Sequence, residues 1–131
     1  MPHHHPKVKL SPIQNAINWC LEDGGSLEFL ATINTLHIEF SNLPAPDIEF
    51  LKSAESAVKN SIFLKYIEFC RHFKGNWIPV PSVEQEQLLS FQEIFSWNAK
   101  KNMWDWNERY SDLHTVELAL TKKGYEALTK S

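Results

Sequence analysis

The sequence predicts a single α+β domain, mostly helical, with a small antiparallel hairpin and a short last helix at its C-terminal end. Three observations carry that prediction. Apolar residues recur at helical spacing behind capping residues at Ser11, Asp47 and Ser82. Alternating apolar and polar residues appear around Leu36 and again between Met103 and Thr121. A chain of 131 residues with 43% hydrophobic composition is long enough to close one core without covalent help.

Charge and cysteine content narrow the class. A net charge of −3 gives no global field favouring nucleic acid or an anionic membrane, although a local basic patch would suffice for either. Cys20 and Cys70 could form one disulfide on counting alone. Two small buried thiols in a reducing compartment is the reading their helix-like surroundings favour. Pro2, Pro6, Lys7, Lys9 and the three histidines His3, His4 and His5 break any leading apolar run, and no stretch approaches the ~20 apolar residues of a membrane span. The expected location is therefore cytoplasmic, with no membrane partner.

In chain order, residues 1–10 read as a flexible tail and 11–131 as the globular domain. Ser11 and Pro12 open a first helix whose apolar side is Ile13, Ile17, Cys20 and Leu21, with Gly24 and Gly25 as its stop. Ser26 is expected to cap a second helix through Leu27, Leu30 and Ile33. Leu36, Ile38 and Phe40 then alternate with Thr35, His37 and Glu39 as a half-buried strand, which places His37 in solvent; helical spacing could also continue to Phe40. Asp47 caps the longest helical stretch, running from Ile48 through Val58 to Phe73 with a kink or break near Asn60 and Ser61. Gly75 stops it, and Arg71, His72 and Lys74 complement the dipole at its end.

Residues Asn76–Pro81 are extended, and their prolines confine them to an edge or a loop. Ser82, with Gln85 at the capping-box position, opens a helix reaching Trp97, with Leu88, Phe91, Ile94 and Phe95 inward. Asn98–Asn102 is a turn. Trp104, Trp106 and Tyr110 line one side of an extended segment, and His114–Thr121 forms its hairpin partner across Ser111 and Asp112. Thr121 caps the last helix, which contains Tyr125 and Leu128.

Chemistry-bearing motifs are sparse. Glu68, Cys70 and His72 do not share a helical face, and no second donor pair has zinc-like spacing, so no metal or cofactor is expected. Phosphate-cradling glycine loops, nucleophile elbows and Cys-x-x-Cys pairs are missing from the sequence. Nothing in it points to an enzyme. The candidate contact face is aromatic: Trp97, Trp104, Trp106 and Tyr110, rimmed by Lys100, Lys101 and Arg109, in a stretch holding three of the five tryptophans. Aromatics with arginine dominate binding hot spots, whereas the competing reading has alternate tryptophans sealing a sheet against helices.

The segment Val116–Leu128 resembles the end of winged-helix regulators. There the last strand finishes in Leu-Thr, two residues precede a glycine, and a short helix follows; Leu120, Thr121, Gly124 and Leu128 stand at those positions. The resemblance implies a winged-helix-like arrangement. It departs from the pattern in the helix from Val83 to Trp97, where the recognition helix is expected but Glu84, Glu86 and Glu93 replace basic residues. A copy of that kind binds protein instead of DNA. The expected function is thus a small non-enzymatic regulatory or adaptor protein that binds another protein, with a winged-helix DNA-binding transcriptional regulator as the alternative.

Overall fold

Ser11 and Gln14 start the first helix by exchanging hydrogen bonds. The Ser11 Oγ accepts from the Gln14 N–H at 3.2 Å, and the Gln14 Oε1 accepts from the Ser11 N–H at 3.1 Å. Two orphan donors are satisfied reciprocally, and Pro12 occupies the position where a missing N–H is harmless. The computed structural model describes residues 11–22, 26–41 and 43–129, with side chains to residue 127. The expected tail, the Gly24–Gly25 stop and the Leu128 side chain lie outside them. Among the described residues helix makes up 57% and strand 23%, so the predominantly helical α+β class holds.

From the first helix, α1 (Pro12–Glu22), the chain passes to a short strand, β1 (Ser26–Glu28), and then to α2 (Phe29–Phe40) and α3 (Ile48–Phe63). Two expectations change here. Ser26 does not cap a helix; it pairs with Ala119, and its hydroxyl donates to Glu117 Oε1 at 2.6 Å. The predicted strand around Leu36 is the second half of α2. Leu36 and Phe40 fit a period of two, but with Phe29, Ile33 and His37 they equally form a helical stripe, and that stripe packs on α1 and α3. Ile38, the residue between them, is 80% exposed. Asp47 caps α3 as expected: its Oδ1 accepts from Phe50 N at 3.0 Å and its Oδ2 from the Ser41 hydroxyl at 2.8 Å.

The long helix expected to reach Phe73 ends at Phe63. Leu64, Lys65 and Tyr66 turn the chain, with Lys65 at φ 63°. Then β2 (Ile67–Phe73) leads through Lys74 and Gly75, at φ 51° and 81°, into β3 (Asn76–Pro79). Positive φ at both turn residues is what a tight two-residue hairpin requires, so Gly75 serves a turn and not a helix end. Arg71, His72 and Lys74 consequently do not complement a helix dipole. Ile62, Tyr66, Phe69 and Phe73 are compatible with helical spacing, but Ile67 and Phe69 are buried on either side of exposed Glu68, the alternation of a strand.

The helix expected from Val83 to Trp97 is three elements: α4 (Ser82–Leu88), α5 (Phe91–Ile94) and β4 (Phe95–Asn98). Pro81, not Ser82, stands at the cap of α4, and no side chain caps it. The turn at 99–102 joins β4 to β5 (Met103–Trp106), pairing Trp97 with Trp104 and Phe95 with Trp106. The predicted hairpin across Ser111 and Asp112 is not formed. Residues Glu108–Thr115 are 3-10 turns, and β6 (Glu117–Leu120) joins a different sheet. That sheet has the order β1-β6-β2-β3, antiparallel throughout, so the last strand in sequence lies between the first two.

Thr121 then caps α6 (Lys122–Thr129), its Oγ accepting from Gly124 N at 3.0 Å. A Cβ at Gly124 would stand 2.1 Å from the Tyr66 carbonyl oxygen, so only glycine permits this approach of α6 to the turn before β2. The core fills the space between α1–α3 and the sheet. Phe29 lies at its centre, packed edge-to-face on Phe69, Phe91 and Phe95 at 4.9–5.4 Å.

Candidate functional site

The aromatic stretch is divided between anchoring and exposure. Trp104 is 2% exposed. Its indole N–H donates to His37 Nδ1 at 3.1 Å, and its backbone is held on both sides by Asn34: Trp104 N donates to Asn34 Oδ1 at 2.7 Å, and Asn34 Nδ2 donates to Trp104 O at 2.9 Å. The Asn34 amide thus replaces a neighbouring strand for β5. An indole N–H can only donate, so His37 Nδ1 is the acceptor and its proton sits on Nε2, which donates to Leu43 O at 2.9 Å. His37 is therefore a buried, doubly bonded residue, not the solvated one expected. Its presence on the stripe of Ile33 and Leu36 was the available signal.

Trp97 is half-buried, with its ring 5.1 Å from His37 and 5.3 Å from Trp104. Trp106 packs on Phe95 and Phe29. Its Nε1 is buried with no hydrogen-bond partner. The Tyr110 hydroxyl donates to Glu93, and this bond pushes its pKa above the ordinary phenol value. Lys100 and Lys101 are exposed at the tip of the β4–β5 hairpin, where their backbone N–H groups donate to Asn98 Oδ1; Arg109 is exposed in the first 3-10 turn. The seven residues do not form one contact face. Trp104 belongs to the core, and Trp97 and Trp106 seal the hairpin onto α2. Lys100, Lys101 and Arg109 are exposed, and Arg109 acts electrostatically on Tyr110.

Two other surfaces are exposed as units. The first is the outer side of α3: Glu49, Lys52, Ser53, Ser56, Lys59 and Asn60 share one face along the helix, all in solvent. They follow from the heptad-like burial of Leu51, Ala54, Val58 and Ser61 on the opposite side. Lys52, Ser53, Ser56 and Asn60 also border a concavity of about 490 Å³ beside Ser11 and Gln14 at the start of α1. The second is the β2–β3 hairpin, exposed on both faces: Phe73 and Ile78 stand on one, and Trp77, its ring 4.6 Å from that of His72, on the other.

Arg71, on β2 opposite Ile78, is not available for a ligand. Its guanidinium grips Glu84 bidentately, with Nη1 at 2.8 Å from Oε2, and its Nε donates to Thr115 Oγ1 at 3.0 Å. The hydrogen-bonded pairing raises the Arg71 pKa and lowers that of Glu84, and it clamps α4 to the sheet. Cys20 and Cys70 are free thiols. Burial, with Glu117 and Glu68 nearby, pushes Cys70 up to about 11, which leaves almost no nucleophilic thiolate at neutral pH. Among the described residues no three His, Cys, Asp or Glu side chains gather as a metal site needs, and no helix is long and apolar enough to cross a membrane. Comparison of the chain with known protein families, with curated proteins and with solved structures gives no match.

Proposed function

We propose that this domain is a non-enzymatic, winged-helix-type module that binds duplex DNA through α3. The observation that carries the reading is the connection order. Helix, short strand, two helices and a strand are followed by a strand, β6, that returns between β1 and β2 and ends in the Leu120-Thr121…Gly124 turn. In that arrangement the helix before β2 faces the groove, and here it is α3, not the acidic segment after Val83. The α3 face supports the assignment chemically. Lys52 and Lys59, paired in the free domain with Glu49 at 4.0 Å and Glu55 at 3.5 Å, would exchange those exposed partners for phosphates, and Ser53, Ser56 and Asn60 suit phosphates and base edges. Residues 74–116 occupy the place of a short wing loop, with the β2–β3 hairpin at its base.

Fluorescence anisotropy of a labelled duplex at rising salt tests this reading. Binding at low salt is expected, with log K falling linearly against log salt. Lys52→Ala and Lys59→Ala should each weaken binding and flatten the slope by about 0.9. No binding at low salt, or a slope untouched by both substitutions, would remove it. A protein partner is the second reading, and the exposed Phe73 and Ile78 on one face of the β2–β3 hairpin favour it. Under that reading Lys52→Ala is neutral for partner binding and Phe73→Ala abolishes it.

A further inference from the structure

We propose a second site: the cavity between the end of α3, the start of β2 and the start of α6 binds a small organic anion with an apolar body. The cavity measures about 430 Å³, within the range of small-molecule pockets. Ile62 and Ile67 line it, and Lys65, Lys122 and Lys123 supply three ammonium groups against one carboxylate, Glu68. None of the three lysines makes an ion pair with a carboxylate among the described residues. Lys123 instead rests 5.8 Å from the Tyr66 ring centroid. An apolar wall beside three cations without an ion-pair partner among the described residues matches a ligand that is itself divided, such as an aryl or alkyl carboxylate or phosphate monoester.

The walls are fixed before any ligand arrives. Thr121 N donates to Tyr66 O at 2.9 Å, the Thr121 hydroxyl lies between the carbonyl oxygens of Lys65 and Tyr66 at 2.5 and 3.1 Å, and Gly124 lies directly against the Tyr66 carbonyl. Lys65 borders the cavity from the end of α3. Its φ of 63° closes that helix, with Lys65 N donating to Ile62 O and Tyr66 N to Ser61 O, both at 2.9 Å, and so fixes where the lysine leaves the chain. The site stands apart from the α3 face and does not depend on the DNA reading.

The test is titration of the ¹⁵N-labelled full chain with phenyl phosphate, alongside inorganic phosphate and benzyl alcohol as its charged and apolar halves. Phenyl phosphate should move the amides of Ile67, Glu68, Lys122 and Lys123 and bind more tightly than either half. Lys65→Gly should keep or raise the melting temperature while weakening phenyl phosphate about tenfold, the size of one well-placed ionic contact. Lys122→Gln with Lys123→Gln should weaken it further. The assignment is overturned if these amides do not move, if either half binds as tightly as the whole, or if the lysine variants bind unchanged.

Discussion

Two aromatic regions of this molecule have similar composition and opposite fates. Trp97, Trp104 and Trp106 on the β4–β5 hairpin are drawn inward, whereas Phe73, Trp77 and Ile78 on the β2–β3 hairpin stay in solvent. Both are antiparallel hairpins with charged residues interleaved. What separates them is whether a distant element supplies a partner. The first hairpin meets α2, which offers the Asn34 amide to its backbone and the His37 ring to its indole; nothing covers the second among the described residues. Aromatic density in a polar context therefore does not locate a functional surface. The polar partner on another element does the sorting.

Trp104→Ala is the strongest challenge to this contrast. It should destabilise the fold by about 3–5 kcal/mol in denaturant unfolding, through cavity formation and loss of the His37 bond. A much smaller loss would mean that the hairpin is not anchored as described. Removing only the partner should cost less: His37→Leu keeps volume but leaves the Trp104 N–H buried and unpaired, an expected loss of about 1–3 kcal/mol. Trp77→Ala should stay within about 0.5 kcal/mol of the parent. If it cost as much as His37→Leu, the second hairpin would be structural and the contrast would fail.

Acid titration sharpens the same point at two polar clamps. Asp47 is held below its ordinary pKa by the Phe50 N–H and the Ser41 hydroxyl, and Glu84 by Arg71. Their contribution to stability is complete above the ordinary carboxylate range and is lost as pH falls through the lowered folded-state values. Asp47→Ala should remove about 1 kcal/mol at neutral pH, and this difference should shrink on acidification. A difference that grew in acid would reverse the assigned sign.

Several features encoded within one turn of chain are legible in the sequence, although the caps expected at Ser26 and Ser82 do not form. Ser11-Pro12, Asp47 and Thr121…Gly124 each act through residues three or four positions away, and each stands where expected. Features encoded across the chain are not. Leu36 and Phe40 satisfy both strand and helical periods, and only the packing of α2 on α1 and α3 decides between them. Likewise, the sequence offers β6 a partner in the segment just before it, whereas its partners are β1 and β2. For the candidate site, the seven named positions included the core residue Trp104. The α3 face does not stand out in the sequence because its polar residues are individually ordinary, and only the course of the chain places them before β2.

The position of β6 has a consequence in time. Its Glu117 accepts from Ser26, 91 residues earlier, and Thr121 is bonded to Tyr66 across 55 residues. The β2–β3 hairpin can close as soon as residues 67–79 exist, but β1 has no strand to pair with until residues 117–120 are made. Loop closure over such separations is slow, and the sheet of this protein is completed only after β6 has been synthesised. Until then the apolar sides of α1 and α2 lack the sheet that covers them. A ribosome-stalled chain ending before residue 117 should therefore be captured by chaperones, and release of the remaining residues should free it.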